Sequence, residues 1–578
     1  MRGHAPLVYR LDLAEAGAHR LHIELRIPAP AAELSLSLPV WAPGSYLVRE
    51  FARHVMAISA EQGGVALAVA PLDKSSWRVQ TSGRGVLTVR YEIHAFDATV
   101  RTAFLDAARG YFNGPAVFLR VQGREHAVHE VRLSGLLRGW QVATSMPALQ
   151  GAPARFVADS YDDLIDHPFE LGAFWRSSFR ASGVDFEFVV SGAWPGFDGE
   201  RLLADARRIC STQLAFWHGR GRPPFTRYVF LLHASEDGYG GLEHRTSCAL
   251  VAARRDLPRL GETERSEGYV GLLGLISHEF FHAWNVKRLR PAEFLSLDTA
   301  RENPTRLLWF FEGFTSYYDD LLLLRAGLID TPRYLGILAR HVQGVLATPG
   351  RLRHSVAQAS FDAWIKFYRA DENTPNATVS YYTKGSLVAL ALDLTLRAGG
   401  QGTLDDVMRL LWQRHADSGL TEADIAQALH DVSGRSFAAE LQAWVHGTAD
   451  LPLQPLLEAA GIGWRSAPAG LAASLGLRLS EGPVSGVQVK HVLRGSAAEA
   501  AGLSPGDELL AVDGWRIRRF DEARQWVRPG AAMELLLVRQ QRVLTRRIEP
   551  AGDVAPAITL TLQPGGLAHR SRDAWPQA

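Results

Sequence analysis

Cysteine is nearly absent from this chain. Its 578 residues include two, Cys210 and Cys248, too few for a disulfide framework and without CxxC spacing. Neither a stapled fold nor a thiolate zinc site is encoded, and a reducing compartment is expected. An excess of one charge is missing as well: 62 Lys and Arg face 61 Asp and Glu. No basic run interleaved with aromatics tracks a phosphate backbone, so nucleic acid is not an expected partner. No stretch reaches about 18 uncharged apolar residues, and "MRGHAPLVYRLDLAEAG" meets charge too early to build the apolar core of a signal peptide. The expectation is a cytoplasmic protein with no membrane partner.

What is present is ordinary globular material, 47% hydrophobic and 21% charged, in a chain too long for one core. Periodicity divides it. Short alternating runs such as "HRLHIELRI" and "GVLTVRYEIHA", broken by Gly and Pro, predict an antiparallel β domain over 1–165. Its stretch "LPVWAPGSYLVREFARHV" crowds a Trp, a Pro-Gly turn and a Tyr, and reads as a packed corner. In 166–460 the period changes. A helix is predicted across "DGERLLADARRICSTQLAFWHG", strands in "RYVFLLHA" and "TSCALVAA", then long helices with box-like caps at Thr403 and Thr421. A few strands followed by many helices make this part α+β. Short strands around a small helix fill 463–551, and 552–578 reads as a polar tail without periodicity.

The chemistry concentrates in "YVGLLGLISHEFFHAWNV". From Tyr269 to Val286 the residues are apolar almost all round a helix, yet His278, Glu279 and His282 sit inside it. A buried, ionised carboxylate without a partner costs many kcal/mol. Histidines four apart share a helical face, so both imidazoles can hold one ion while Glu279 points to a water beside it: the HExxH pattern of zinc hydrolases. Zinc of that kind takes a third protein ligand and keeps one open position. Glu312 in "TRLLWFFEGFTSYYDD", the lone charge between Leu307 and Tyr318, supplies it; Glu293, Asp298 and Glu302 fall in a polar loop that needs no ion. Asp319, seven positions past Glu312 on the same face, can accept the second N–H of a ligand histidine.

At "HEFFHAWNVKRLRP" and "WFFEGFTSYY" the chain resembles the glycyl aminopeptidase family of zinc metallopeptidases, gluzincins with a β N-terminal domain, a thermolysin-like catalytic domain and a PDZ domain. "WAPGSYLVREFAR" and "VRTAFLD" resemble its N-terminal region, "GSAAEAAGLSPGDELLAVDG" its PDZ core. The resemblance implies one zinc per chain on His278, His282 and Glu312, with Glu279 as general base. It also implies peptide substrates with a free N-terminus and a small first residue, Gly or Ala. Ser316 stands where thermolysin carries a supporting aspartate, and Asp319 matches the spacing of aminopeptidase N relatives instead.

Two further stretches resemble those relatives. "GYGGLEHRTS" sets Gly240, Gly241 and Glu243 in a turn before the "TSCALVA" strand, here expected to be the substrate-binding edge; Glu243 matches the glutamate that holds the α-amine, with His244 in place of Asn. In "SYYTKG", Tyr382 matches the tyrosine that donates to the oxyanion, and Tyr381 is its rival. In the PDZ module, Leu475, Gly476 and Leu477 can offer backbone N–H groups to the C-terminal carboxylate of a peptide ligand, with an added strand beside Arg478 and Leu479. Two other readings stand beside the aminopeptidase: a zinc endopeptidase with PDZ-guided recruitment and Glu243 structural, and a non-catalytic PDZ scaffold, which intact His278, Glu279, His282 and Glu312 disfavour.

Overall fold

A computed structural model describes residues 5–152, 154–528, 530–549 and 556–563. The chain divides into two compact units, Met1–Asn303 with Ala416–Gly419, and Pro304–His415 with Leu420–Ala578. Among the described residues no helix is long and apolar enough to cross a membrane.

The first unit opens with β layers. Alternation in "RLHIELRIP" becomes the strand Arg20–Pro28, with Leu21, Ile23, Leu25 and Ile27 turned inward, paired antiparallel with Leu7–Asp12 and Val86–His94 in a seven-stranded sheet. One pair departs from the expected antiparallel pattern, since Leu7–Asp12 runs parallel to His129–Ser134. The β layers also continue beyond residue 165. Phe169–Gly172 pairs with Arg109–Phe112 and Gln141–Ala143, locked by a buried Arg109–Glu170 fork of 2.7 and 2.8 Å.

A five-stranded mixed sheet follows. Its order is Trp175–Ala181, Val184–Ser191, Arg227–Ser235, Ser247–Ala253 and Tyr239–Glu243. The expected placement of the edge is corrected here. Ser247–Ala253 is interior, parallel to one neighbour and antiparallel to the other, and the glycine-rich stretch read as a turn is itself the edge strand Tyr239–Glu243. Burial explains the exchange: "SCALVAA" is almost continuously buried, as an interior strand must be, whereas Tyr239 is 70% exposed.

Against this edge lies the helix Glu267–Phe281, capped by the Ser266 side chain, which accepts from Tyr269 N at 3.1 Å. The helix stops short of the expected end at Val286. Phe281 is its last residue, His282 is the C-cap, and Val286 takes φ 112. Arg288 closes the end by donating from Nη1 to Ala283 O at 2.6 Å and Arg245 O at 2.9 Å, a cation on carbonyls that the helix leaves unpaired.

The second unit is helical, then β. Gly313–Arg325, Thr331–Leu346 and Tyr381–Gly399 form its centre, and both expected capping boxes exist, Thr403 with Asp406 and Thr421 with Asp424. The PDZ module is a sheet ordered Leu477–Gly482, Gly486–Val492, Glu508–Val512, Met533–Arg539 and Arg542–Ile548, so Leu477–Gly482 is an edge. Its outer face rests on the helices: Arg478 donates to Thr348 Oγ1 at 2.9 Å, and the Asn376 amide spans Val492 O at 2.9 Å and Arg494 N at 2.8 Å. Part of the expected tail is ordered. Ala557–Leu562, "AITLTL", alternates with Ile558 and Leu560 inward and pairs along its whole length with Ile462–Ala467. The remaining tail residues, 552–555 and 564–578, lie outside the described residues.

Candidate active site

The HExxH residues span the last turn of Glu267–Phe281 and its C-cap, His282. His282 is 1% exposed and Glu279 5%. The rings of His278 and His282 meet edge to face, their Nε2 atoms 3.0 Å apart. His282 donates its Nδ1–H to the carbonyl of Asn285 at 2.7 Å. That bond fixes the tautomer and leaves the Nε2 lone pair aimed at a second imidazole nitrogen, an arrangement that wants a cation between them. The ligand atoms of His278, His282 and Glu312 all lie within 4.8 Å of one another, the single group of this kind among the described residues. Two neutral imidazoles and one carboxylate are a zinc donor set, so the residues fit that ion. Asp298, a competitor in the sequence, is engaged by Arg301 at 2.9 Å and by Ala300 N at 2.9 Å.

Glu279 lies on the edge strand. A Cβ built on Gly241 would fall 2.5 Å from Glu279 Cγ and closer still to its carboxyl group, so the helix can approach here because position 241 has no side chain. Residues two apart in a strand share a face, which puts Glu243, buried at 4%, one step along from that contact. Glu243 in turn abuts Gly44, where a Cβ would stand 2.7 Å from its Cδ and where φ is +92. The "WAPGSY" corner is therefore a packed corner, with Trp41 and Tyr46 buried, and also the wall against Glu243. A cavity of about 400 Å³ opens there, lined by Trp41, Pro43, Tyr46, Glu243, Arg290 and Phe294 among others. His244 beside it is held between Leu242 O at 3.1 Å and the Asn113 side chain at 3.2 Å, and burial pushes its imidazole down to about 3.

In the second unit, Glu312 is the junction between Leu308–Phe311 and Gly313–Arg325 and is buried. Tyr381 is fully buried, whereas Tyr382 is partly exposed and its hydroxyl meets that of Tyr368 at 2.9 Å. Burial and then the charge of Glu312 push the Tyr382 hydroxyl well above its ordinary pKa, so it remains a donor. Asp319 is half-buried on Gly313–Arg325, its carboxylate accepting from Asp320 N at 2.6 Å and its charge acting on His341. In the PDZ module two of the three expected carboxylate donors are already engaged: Leu475 N donates to Leu471 O at 3.2 Å and Gly476 N to Ala473 O at 3.0 Å.

Reading the sequence alone missed Gly44, Arg101, Asn113 and Asn285. Gly44 was visible as a Pro-Gly turn and Arg101 as part of "VRTAFLD", but nothing local assigned either to Tyr239–Glu243. Arg101 Nη2 donates to Gly241 O at 2.9 Å.

Comparison with known proteins bears on the same residues. Residues 8–173 match the Peptidase M61 N-terminal domain, 271–388 the M61 glycyl aminopeptidase and 467–532 the PDZ domain. A crystal structure of an aminopeptidase N family protein from Idiomarina loihiensis is similar over 97% of this chain and 99% of its own, with TM-score 0.92 and 34% identity. An M1 zinc metallopeptidase from Deinococcus radiodurans aligns over 78% of this chain and 96% of its own, at TM-score 0.46 and 14% identity. A protein of Rhizobium meliloti named as a zinc metalloprotease is 38% identical over 78 residues, a match spanning 11% of this chain and 20% of that protein.

Proposed function

The chain belongs to the M61 glycyl aminopeptidase family, PDZ-containing zinc metallopeptidases, and from that premise we propose that it is an aminopeptidase removing single, small residues, Gly or Ala, from peptide N-termini. His278, His282 and Glu312 hold one zinc. When bound, the ion supplies a Lewis acid for the scissile carbonyl and lowers the pKa of a water. Glu279 takes the proton of the attacking water and hands it to the leaving amine. The Tyr382 hydroxyl donates to the oxyanion, and its partial exposure and proximity to the Glu312 charge support it over Tyr381. Because His282 gives its Nδ1–H to Asn285 O, the imidazole left for Asp319 to orient is that of His278.

One observation carries the aminopeptidase reading: Glu243 and the Gly241 position against Glu279 share a face of the edge strand, two residues apart. At about 3.4 Å per residue this is about 7 Å. A carboxylate one step from the base suits an α-amine one residue from the cleaved bond, and Gly240 and Gly241 present no side chain to a substrate backbone at this edge, where Gly241 O already accepts from Arg101. The PDZ edge Leu477–Gly482 is proposed to take a C-terminal peptide by strand addition, with Leu477 the remaining carboxylate donor.

The test is a pair of peptides differing in N-acetylation. The free amine should be cut at least about 30-fold faster, and Glu243→Ala should narrow that ratio while zinc content stays at one per chain. Equal cleavage of the two by the wild type would make the enzyme an endopeptidase.

A further inference from the structure

The edge strand carries an arginine that the proposed chemistry does not use. Arg101 makes one hydrogen bond among the described residues, from Nη2 to Gly241 O at 2.9 Å. Among the described residues its buried Nε has no hydrogen-bond partner, and its Nη1 lies 3.7 Å from where a Cβ on Gly240 would stand. A guanidinium has five donors in a fixed fork suited to a carboxylate. Here most of the fork is unspent, at a strand whose other charged contacts are the carboxylates of Glu243 and Glu279.

Order along the strand gives the fork a meaning. Glu243 comes first and the Glu279 contact at Gly241 second, while the Arg101 fork stands at the Gly241 carbonyl and reaches toward Gly240, whose Cβ direction is opposite to that of 241 and 243. From 243 to the fork at 241 and 240 is about 7 to 10 Å at about 3.4 Å per residue, the amine-to-carboxylate length of an extended di- or tripeptide. We infer that Arg101 receives the C-terminal carboxylate of a short peptide, so that the substrates are di- and tripeptides with a free C-terminus. This rests on the reading of Glu243 as the amine acceptor and extends it to the other end of the substrate. A clamp role for Arg101, holding Gly241 O and nothing else, is the competing account.

Steady-state cleavage of dialanine, trialanine and pentaalanine by the full-length zinc enzyme, each as free acid and as C-terminal amide, separates the two. The acid should exceed the amide in kcat/KM by about 10-fold or more for the two short peptides, and the ratio should approach one for pentaalanine. In Arg101→Met the short-peptide ratio should fall to within about 2-fold, with Arg101→Lys between. A wild-type ratio near one, or a ratio that persists in Arg101→Met, overturns the inference. Should Arg101→Met fail to fold, the wild-type and Arg101→Lys ratios decide alone. N-acetyl-trialanine, run alongside, reports on Glu243 separately: its ready cleavage would sink the amine reading while the acid-to-amide ratio still judges Arg101.

Discussion

Replacing Gly241 by alanine tests the placement of Glu279, the proposed general base, directly. Gly241 has an ordinary backbone conformation, being outside the positive-φ set that includes Gly240, so alanine brings no dihedral penalty. What it brings is a methyl group inside the Glu279 carboxyl, 2.5 Å from Cγ, where an ordinary contact is about 3.5 Å or more. Rotating one oxygen away is not enough, because the whole end of the side chain is overlapped. Glu279 or the edge strand must shift by about 1 Å, and a displacement of that size at a reacting group lowers the rate about 100-fold, or about 2.7 kcal/mol of transition-state stabilisation. Gly240→Ala is the matched control: φ there is +151 and the closest atom is Arg101 Nη1 at 3.7 Å, so it strains the backbone without touching Glu279. The assay is kcat/KM on an alanyl dipeptide with zinc content and melting temperature measured on the same samples. Gly241→Ala should retain zinc and lose most turnover. Activity within about 3-fold of the wild type would refute the stated contact, and loss of zinc would show that the helix had moved as a whole.

Glu279→Gln should keep one zinc per chain and lower kcat by roughly 10²- to 10⁴-fold; metal loss comparable to that of His278→Ala, read by elemental analysis, would reverse the assigned roles. Tyr382→Phe should lower kcat by about 10²-fold with KM little changed, and Tyr381→Phe should not; equal effects would undo the choice between them. His129, buried in the β layers and pushed by burial down to about 4, binds its proton more readily unfolded, at about 6.5. Its contribution to stability is therefore present above about 6.5 and lost as pH falls toward 4, about 3 kcal/mol in all. His129→Leu should gain melting temperature relative to the wild type as pH is lowered through that window, and an unchanged difference between the two would contradict the shift.

The proposed metal ligands stood out in the sequence because burial of charge is itself a signal: His278, Glu279, His282 and Glu312 lie in apolar surroundings, and His278, His282 and Glu312 form a group that could hold an ion. Element type was legible wherever periodicity was strong, as in "RLHIELRIP" and the helices with Thr caps. Exchange of the edge and interior strands was not legible, because "YGGLE" has no strand propensity and becomes a strand through its pairing with Ser247–Ala253. "AITLTL" alternates, but it is short and surrounded by polar residues, and only its partner Ile462–Ala467, nearly a hundred residues earlier, makes it a strand. Arg101, Gly44 and Asn113 were out of reach for the same reason, since their partners are more than a hundred residues away.

Asn113 and Gly44 also bear on His244, the residue after Glu243. His244 Nδ1–H donates to Leu242 O, so its Nε2 is a lone pair; Asn113 Oδ1 is placed 3.2 Å from it, and since two acceptors cannot face each other, exchanging the Asn113 amide O and N assignment makes the N–H₂ the donor. A neutral ring is thereby satisfied at both nitrogens, and burial, holding it down to about 3, keeps it neutral at any working pH. This matters for its neighbour. A protonated histidine beside Glu243 would set a permanent cation against the carboxylate proposed to take the substrate ammonium. With His244 neutral and Gly44 packed against the Glu243 side chain, the carboxylate is fixed in place without that competing charge. Through Gly44, Arg101 and Asn113 the β layers thus meet Glu243, Gly241 and His244, and on the proposed reading they are part of the substrate site rather than an appendage to it.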